Sequence, residues 1–159
     1  MNRKLMFSNE NNAWTTPRDF FAKLNEEFSF TLDPCCMKKS ALCKKYYTPK
    51  EDGLKQSWEG ETVFVNPPYG REIKKWVEKC FIEGKKKNTT IVLLIPSRTD
   101  TIYFHNFIYG KAKIRFLKGR LKFVDMDVKN PKLSPAPFPS MLVIFKGEKN
   151  AKKKQRRIQ

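Results

Sequence analysis

The sequence predicts a single α/β domain with a mainly parallel β-sheet and antiparallel strands at one edge. Helix and strand patterns alternate along the first part of the chain, as expected when helices connect parallel strands. Residues 90–95 are apolar without polar alternation, which indicates a strand covered on both faces. Two strand patterns at residues 113–116 and 120–123 are joined at Lys118-Gly119, which predicts a late hairpin. The outline is Rossmann-like.

The first helix is predicted over residues 17–27. Thr16 is the expected N-cap, Pro17 takes the first helical position, and Asp19 completes a pattern that resembles a capping box. Phe20, Phe21 and Leu24 recur at helical spacing and are expected to face the core.

The remaining elements follow from alternation, apolar runs and turn residues. Asp33-Pro34 ends the first predicted strand abruptly, and Gly84 lies near the end of a helix with one continuous apolar face. The predicted strands besides those already given are residues 28–32, 45–48, 62–65 and 141–145. A Pro-rich loop over residues 130–139 precedes the last of them.

The composition indicates one domain with a polyanionic partner. Residues 1–12 are predicted to form a flexible arm, residues 13–146 the domain, and residues 147–159 a basic tail that is disordered when free. Lys and Arg number 33 against 16 acidic residues, a formal net charge of +17. Such a charge favours nucleic acid, although solubility or a membrane surface would also explain it.

Other classes of function are disfavoured. The sequence has neither the roughly 18 consecutive apolar residues of a membrane span nor the apolar core of a signal peptide, so we expect a cytoplasmic protein. The four cysteines lack CxxC spacing, and His105 is the single histidine, so neither a metal site nor a disulfide is expected. His105 itself is expected to be structural.

The residues best suited to chemistry follow two predicted strands. Asp33 and Asn66 both lie at carboxyl ends, and in a doubly wound sheet such ends face one ligand crevice. Asn66 begins the segment Asn66-Pro67-Pro68-Tyr69. An amide oxygen and the following backbone carbonyl can accept from an exocyclic aromatic amine, consecutive prolines stiffen the loop, and a tyrosine can stack on an extruded base. Alternatively, the segment is only a stiff turn between strand and helix.

The chain resembles the phage-type DNA N6-adenine methyltransferase family over residues 13–145. The segments that carry the resemblance are, in chain order, Trp14-Thr15-Thr16-Pro17, Phe30-Thr31-Leu32-Asp33-Pro34-Cys35, Tyr46-Tyr47-Thr48, Asp52-Gly53-Leu54 with Trp58, Asn66-Pro67-Pro68-Tyr69-Gly70, Leu94-Ile95-Pro96-Ser97-Arg98-Thr99-Asp100 and Gly119-Arg120-Leu121. Asn66 to Tyr69 look like motif IV of amino-methyltransferases. Several motifs in the right order are more specific than any one of them.

The resemblance implies an S-adenosylmethionine-dependent methyltransferase fold and that cofactor as methyl donor. The implied cofactor-binding residues are Trp14, Thr16, Pro17, Asp33, Pro34, Cys35 and Asp52. Asp33 would accept from the donor's ammonium group and Asp52 from its adenine amino group. A capped helix start explains Thr16 and Pro17 equally well, and Asp52 could instead form a turn. Cys35-Cys36 replaces the Gly-rich loop of many methyltransferases.

The expected partner is double-stranded DNA, with its target adenine flipped out of the helix. The basic residues expected to contact phosphates are Arg98, Arg115, Lys118 and Arg120, although each also suits a solvated surface. Two alternatives remain open on the sequence alone. One is an amino-methyltransferase that acts on RNA or on a protein glutamine, and the other is a nonenzymatic DNA-binding module. The oligomeric state is not predicted.

Overall fold

The computed structural model describes residues 15–124 and 133–149. Within these ranges, two α-helices, α1 (Arg18–Phe28) and α2 (Ile73–Glu83), pack on a sheet, and a short π-helical segment spans Phe104–Ile108. The strands are β1 (Leu32–Asp33), β2 (Lys45–Tyr46), β3 (Thr62–Val65), β4 (Thr90–Pro96), β5 (Lys113–Phe116), β6 (Lys122–Val124), β7 (Leu133–Pro135) and β8 (Ser140–Lys146). The predicted arm and the predicted tail beyond residue 149 lie outside the described residues.

Six strands form one mixed, mainly parallel sheet in the order β2-β1-β3-β4-β8-β5. The parallel pairs join β1 to β2 and to β3, and β3 to β4. β8 is antiparallel to both β4 and β5, so of these six strands only β8 runs in the opposite direction. The α/β class and the mainly parallel sheet are therefore confirmed. The reversed strand lies next to the edge strand β5.

The predicted late hairpin is wrong. β5 pairs with β8, whereas β6 pairs with β7 in a separate two-stranded sheet that includes part of the predicted Pro-rich loop. The physical reason is burial. β8 is buried at every residue except Lys146 and has a strand on either side, whereas β5 is only partly buried and serves as the edge. Turn signals at Lys118-Gly119 could not reveal this long-range pairing.

The first predicted strand begins too early. Phe28 ends α1, and Ser29 follows it in the left-handed conformation with φ 56° and donates its N–H to Asn25 O. Phe28 and Phe30 then stack on each other, and Phe30 also stacks on Phe21 of α1. These aromatic residues therefore cover one side of the sheet, and regular strand structure starts at Leu32.

Alternate residues of β4 enter two cores on opposite faces of the sheet. Ile91, Leu93 and Ile95 pack in the cluster that contains α2, and Val92 and Leu94 pack in the one that contains α1. All five are completely buried, which confirms the prediction of a strand covered on both faces. Among the described residues, no helix is long and apolar enough to cross a membrane.

A buried carboxylate at the end of α2 connects that helix to the loop before β3. Glu83 is 2% exposed and accepts from the backbone N–H of Trp58 at 2.9 Å and from the ammonium groups of Lys79 and Lys86, each at 2.8 Å. Burial acts to raise the pKa of Glu83. These three hydrogen bonds outweigh that effect and hold its pKa below the ordinary value of 4.5.

We predict that Glu83→Gln lowers the free energy of unfolding by about 2 kcal/mol, because it weakens charge-assisted hydrogen bonds in a buried place. The folded-state pKa is depressed, so the carboxylate stabilises fully above a pH of about 5, and this stabilisation is lost as the pH falls through the folded-state pKa. Urea unfolding at several pH values measures the difference. Glu78→Gln, at an exposed position of the same helix, is the control, and an equal loss in both variants would contradict the prediction.

Candidate active site

A ligand crevice is expected at the switch point of the sheet, which is the place where connections from neighbouring strands run to opposite sides. β2 lies on one side of β1, and β3 and β4 lie on the other side. Loops that leave the carboxyl ends of β1 and β3 therefore diverge, and in open α/β sheets ligands bind at this point. Asp33 is the last residue of β1, and Asn66 directly follows β3.

The Asn66 side chain is held by two hydroxyl groups, one from Tyr69 in the same turn and one from Thr16, which is distant in the sequence. Its Nδ2 donates to Thr16 Oγ1 at 2.9 Å, and its Oδ1 accepts from the Tyr69 hydroxyl at 3.0 Å. Each end of the amide thus has a hydroxyl partner, and together the two contacts orient the Asn66 side chain.

Tyr69 is held at both its hydroxyl and its ring. The hydroxyl also lies 3.3 Å from the Leu94 carbonyl of β4, and the ring makes edge contacts with Phe138 and Phe123 at centroid distances of 5.5 and 6.4 Å. Burial raises the pKa of Tyr69, and the nearby Cys35 and Tyr103 raise it further. The hydroxyl therefore stays protonated and acts as a donor.

Thr16 does not cap α1, so that prediction is wrong. The N-cap is Pro17, and no side chain of a described residue caps this helix start. Thr16 is 3% exposed, and its hydroxyl accepts from Asn66 Nδ2. Pro17 is buried beside it. Trp14 lies outside the described residues.

Asp33 is a buried carboxylate whose partners are uncharged. It is 3% exposed, and its two oxygens accept from the Cys35 N–H at 3.3 Å and the Leu42 N–H at 3.1 Å. Burial raises its pKa, and these backbone donors oppose the shift only in part. Among the described residues, no ammonium or guanidinium group forms an ion pair with it. A carboxylate in this state would be stabilised by a cationic ligand.

The segments of Pro34 and Asp52, far apart in sequence, lie against each other. A Cβ added to Gly53 would lie 2.0 Å from the Pro34 carbonyl oxygen, so only glycine permits the contact. The buried Trp58 donates from Nε1 to the Gly53 carbonyl at 3.0 Å and thereby holds the turn in place. Asp52, in the left-handed conformation with φ 55°, accepts from the Leu54 N–H and caps the following short 3₁₀ helix.

The cysteines near this crevice are neutral thiols. Burial raises the pKa of Cys35 and of Cys36, and it raises the pKa of Cys43 to about 12, with Asp33 adding to the shift in each case. No group of three or more His, Cys, Asp or Glu side chains among the described residues could hold a metal ion.

The four basic residues that were predicted to contact phosphates do not all have free side chains at the same edge of the sheet. Arg98 follows β4, and Lys118 and Arg120 follow β5, so all three exposed side chains lie at the same edge of the sheet as Asn66. Arg115 instead forms a two-pronged ion pair with Glu27 of α1, with one hydrogen bond of 2.7 Å. The guanidinium of Arg115 thus already has a carboxylate partner, and its contact with a phosphate stays a prediction. His105 is exposed and contacts the Thr99 carbonyl at 2.8 Å.

Several residues that shape the site carry little signal in the sequence. Phe123 and Phe138 support Tyr69, but their pairing depends on the β6–β7 sheet, which local patterns do not specify. Ser97 and Ser140, at the ends of β4 and β8 on this edge, have buried hydroxyls that find no hydrogen-bond partner among the residues that the structure describes. No sequence pattern indicates an unpartnered hydroxyl.

Together, the fold and the site define an α/β protein with a fixed asparagine and a buried carboxylate beside the switch point of a mainly parallel sheet. The chain belongs to the DNA N-6-adenine-methyltransferase (Dam) family, because the profile of that family matches residues 5–157 of its 159 residues. The resemblance inferred from the motifs is thereby confirmed.

Two phage proteins named DNA N-6-adenine-methyltransferase are similar to the chain. The protein of Haemophilus phage HP1 (strain HP1c1) is 25% identical over 139 residues, which cover 86% of this chain and 79% of that protein. The protein of Escherichia phage T1 is 30% identical over 110 residues, which cover 68% of this chain and 45% of the phage T1 protein.

We predict that Gly53→Ala lowers the free energy of unfolding by about 3 kcal/mol, because the new methyl group overlaps the Pro34 carbonyl and the two segments must separate. Denaturant unfolding measures the loss. Gly110→Ala is the control, since its Cβ meets no atom within 4 Å and only its φ of 70° is unfavourable, at a cost of about 1 kcal/mol. Equal losses would show that the close approach to Pro34 is unimportant.

Proposed function

We propose that the chain transfers a methyl group from S-adenosylmethionine to the exocyclic N6 of adenine in double-stranded DNA. Its membership of the DNA N-6-adenine-methyltransferase family supports the reaction and the nucleic acid. The structural observation that carries the proposal is the Asn66 amide held between Thr16 and Tyr69 at the switch point.

The strand order supports a Rossmann-like methyltransferase fold. A ligand beside β1 and a second ligand beside β3 would lie next to each other in the crevice, since the two strands are direct neighbours. The methyl donor would lie at the β1 side and the target base at the β3 side. This arrangement brings donor and acceptor together without a second domain.

Asp33 and its neighbours fit the donor. The buried Asp33 carboxylate lacks a positively charged partner among the described residues, and the methionine part of S-adenosylmethionine carries an ammonium group. Two backbone donors already orient the carboxylate, and a carboxylate has further lone pairs to accept from that ammonium. Pro34 and Cys35 would line the same part of the pocket. Asp52, on the turn that contacts Pro34, would accept from the donor's adenine amino group.

Asn66 and Pro67 would receive the base. The nitrogen lone pair of an aromatic amine is delocalised into the ring, so the amine is a poor nucleophile until acceptors draw on its N–H groups. Asn66 Oδ1 and the Pro67 backbone carbonyl would accept these hydrogen bonds. S-adenosylmethionine supplies the electrophilic methyl group when it is bound. The amine proton becomes acidic once the nitrogen carries the methyl group, so no strong general base is needed.

An adenine inside a duplex cannot reach this site, so the target base would be flipped out and stacked on Tyr69. Two features hold the tyrosine in place before the base arrives. Its hydroxyl has Asn66 Oδ1 and the Leu94 carbonyl as alternative acceptors, and its ring contacts Phe138 and Phe123. Arg98, Lys118 and Arg120 lie at the same edge of the sheet and would contact the flanking phosphates. Catalysis would then depend on positioning and polarisation.

We predict that Asn66→Ala lowers the rate of methyl transfer by about 10²- to 10³-fold, because it removes a preorganised hydrogen-bond acceptor. Transfer of labelled methyl to unmethylated duplex DNA, followed by nucleoside analysis, measures the rate and identifies N6-methyladenine. Asn106→Ala, at an exposed position on the π-helical segment, should retain the wild-type rate.

Two outcomes of that assay would reject the proposal. Label that is found in RNA or in protein glutamine, and not in DNA, would favour an amino-methyltransferase with a different substrate. A wild-type protein that binds DNA but neither binds nor consumes S-adenosylmethionine would favour a nonenzymatic DNA-binding module.

We predict that Thr16→Val lowers kcat by about 10-fold, a change of about 1.4 kcal/mol in activation free energy, with little change in the KM for DNA. Valine has a similar shape but cannot accept from Asn66 Nδ2, so the amide loses one of the two contacts that orient it. Thr16→Ser keeps the hydroxyl and should restore most of the activity. Steady-state kinetics separate the two parameters, and a serine variant as impaired as the valine variant would show that packing, rather than the hydrogen bond, is what matters.

A further inference from the structure

Four exposed lysines lie at the edge of the sheet opposite to the candidate active site. We call Lys85, Lys111, Lys113 and Lys146 the lysine surface. They line two adjoining depressions of about 460 and 340 Å³, which share Lys111 and Lys146. Lys113 belongs to the first depression and Lys85 to the second. The side chains of the lysine surface therefore border one continuous region, with the Lys85 ammonium 3.9 Å from the centre of the Phe81 ring.

The charge of this region is not balanced by acidic side chains. None of the four lysines forms an ion pair with a described residue. Glu148 lines the second depression, and Glu27 is close enough for Lys113 and Lys146 to lower its pKa. The largest effect on the pKa of Glu27 is its hydrogen bond to Arg115, so this acid already has a cationic partner. The region remains positive.

Strand register separates the lysine surface from the proposed site of methylation. Lys146 pairs with Thr90 at the start of β4, whereas Ser140 pairs with Pro96 at the end of β4. Six residue steps at about 3.3 Å each place these two edges about 20 Å apart. A ligand on one edge therefore does not occupy the other.

The basic carboxyl-terminal sequence follows directly from this edge. After β8, Gly147 donates its N–H to Thr89 O, and the Asn88 N–H donates to Glu148 O, each at 2.8 Å. The chain thus reaches Lys149 beside the lysine surface. The sequence beyond Lys149 contains five further basic residues, Lys152, Lys153, Lys154, Arg156 and Arg157.

We propose that the lysine surface binds the phosphate backbone of a second segment of duplex DNA while the first segment lies at the active site. This inference rests on the proposed function, because it assumes that DNA is the polyanion at hand. A group of lysines can bind the repeating phosphates of duplex DNA. Such contacts do not depend on the base sequence. A molecule that holds two segments can pass from one to the other without entering free solution.

The test is retention of a labelled duplex by a bead-bound duplex, with the full-length protein as the bridge. Both duplexes contain only G·C pairs, so adenine methylation plays no part. Wild type should retain the label at low salt, and Lys111→Gln/Lys113→Gln/Lys146→Gln should reduce retention by at least about 10-fold. The slope of log retention against log salt concentration should become shallower by about 1 for each phosphate that the variant no longer binds.

Two matched variants control for net charge and folding. Lys23→Gln/Lys39→Gln/Lys44→Gln removes the same charge from exposed positions elsewhere and should retain the label as wild type does. Lys111→Arg/Lys113→Arg/Lys146→Arg preserves the charge of the surface and should also retain it. Methyl transfer to an adenine-containing duplex of about 12 base pairs, about 40 Å long, should be unchanged in every variant.

Several results would overturn the inference. These are an absence of retention by wild type, equal retention by the glutamine variant, a preference for duplex RNA over DNA, or loss of methyl transfer to the short duplex in the glutamine variant alone. If wild type bridges DNA through these lysines yet methylates no adenine, the inference stands and the proposed function fails. The two proposals are therefore tested separately.

Discussion

The pairing of β4 with β8 is the constraint on which the rest of this structure depends. β4 is covered by β3 on one side and β8 on the other, and its side chains fill the cores on both faces of the sheet. At one end, the Leu94 carbonyl of β4 meets the Tyr69 hydroxyl. At the other end, β8 leads into the lysine surface. A single pair of strands thus sets both the location of the candidate site and its separation from the opposite edge.

The elements that the sequence predicted best are those whose signals are local. Helix α2 has one apolar face and a glycine after its last turn, and β4 is an apolar run that ends at a proline. In both elements the local conformation and the pattern of buried residues predict the same structure. The turn after β3 was likewise visible, because asparagine and two prolines leave few alternatives. The candidate site at the ends of β1 and β3 followed from the rule for doubly wound sheets.

The errors arose where distant residues decide the outcome. Thr16 has the local features of an N-cap, yet its hydroxyl binds an asparagine that lies 50 residues further along the chain. Lys118-Gly119 looks like a hairpin turn, yet β5 pairs with β8 because the buried strand has a neighbour on each side. Local propensities predict structure only weakly, and the burial of residues against distant parts of the chain outweighs them. The contact of Gly53 with Pro34 was hidden for the same reason.

The protonated state of the thiols has a practical consequence for labelling. The thiolate is the form that attacks alkylating dyes, and burial together with Asp33 keeps Cys35, Cys36 and Cys43 protonated at neutral pH. Burial likewise raises the pKa of Cys80, which is completely buried against the sheet. We therefore expect the native cysteines to react slowly with such dyes. A fluorophore for distance measurements could be attached at one introduced surface cysteine, with all four natural cysteines left in place.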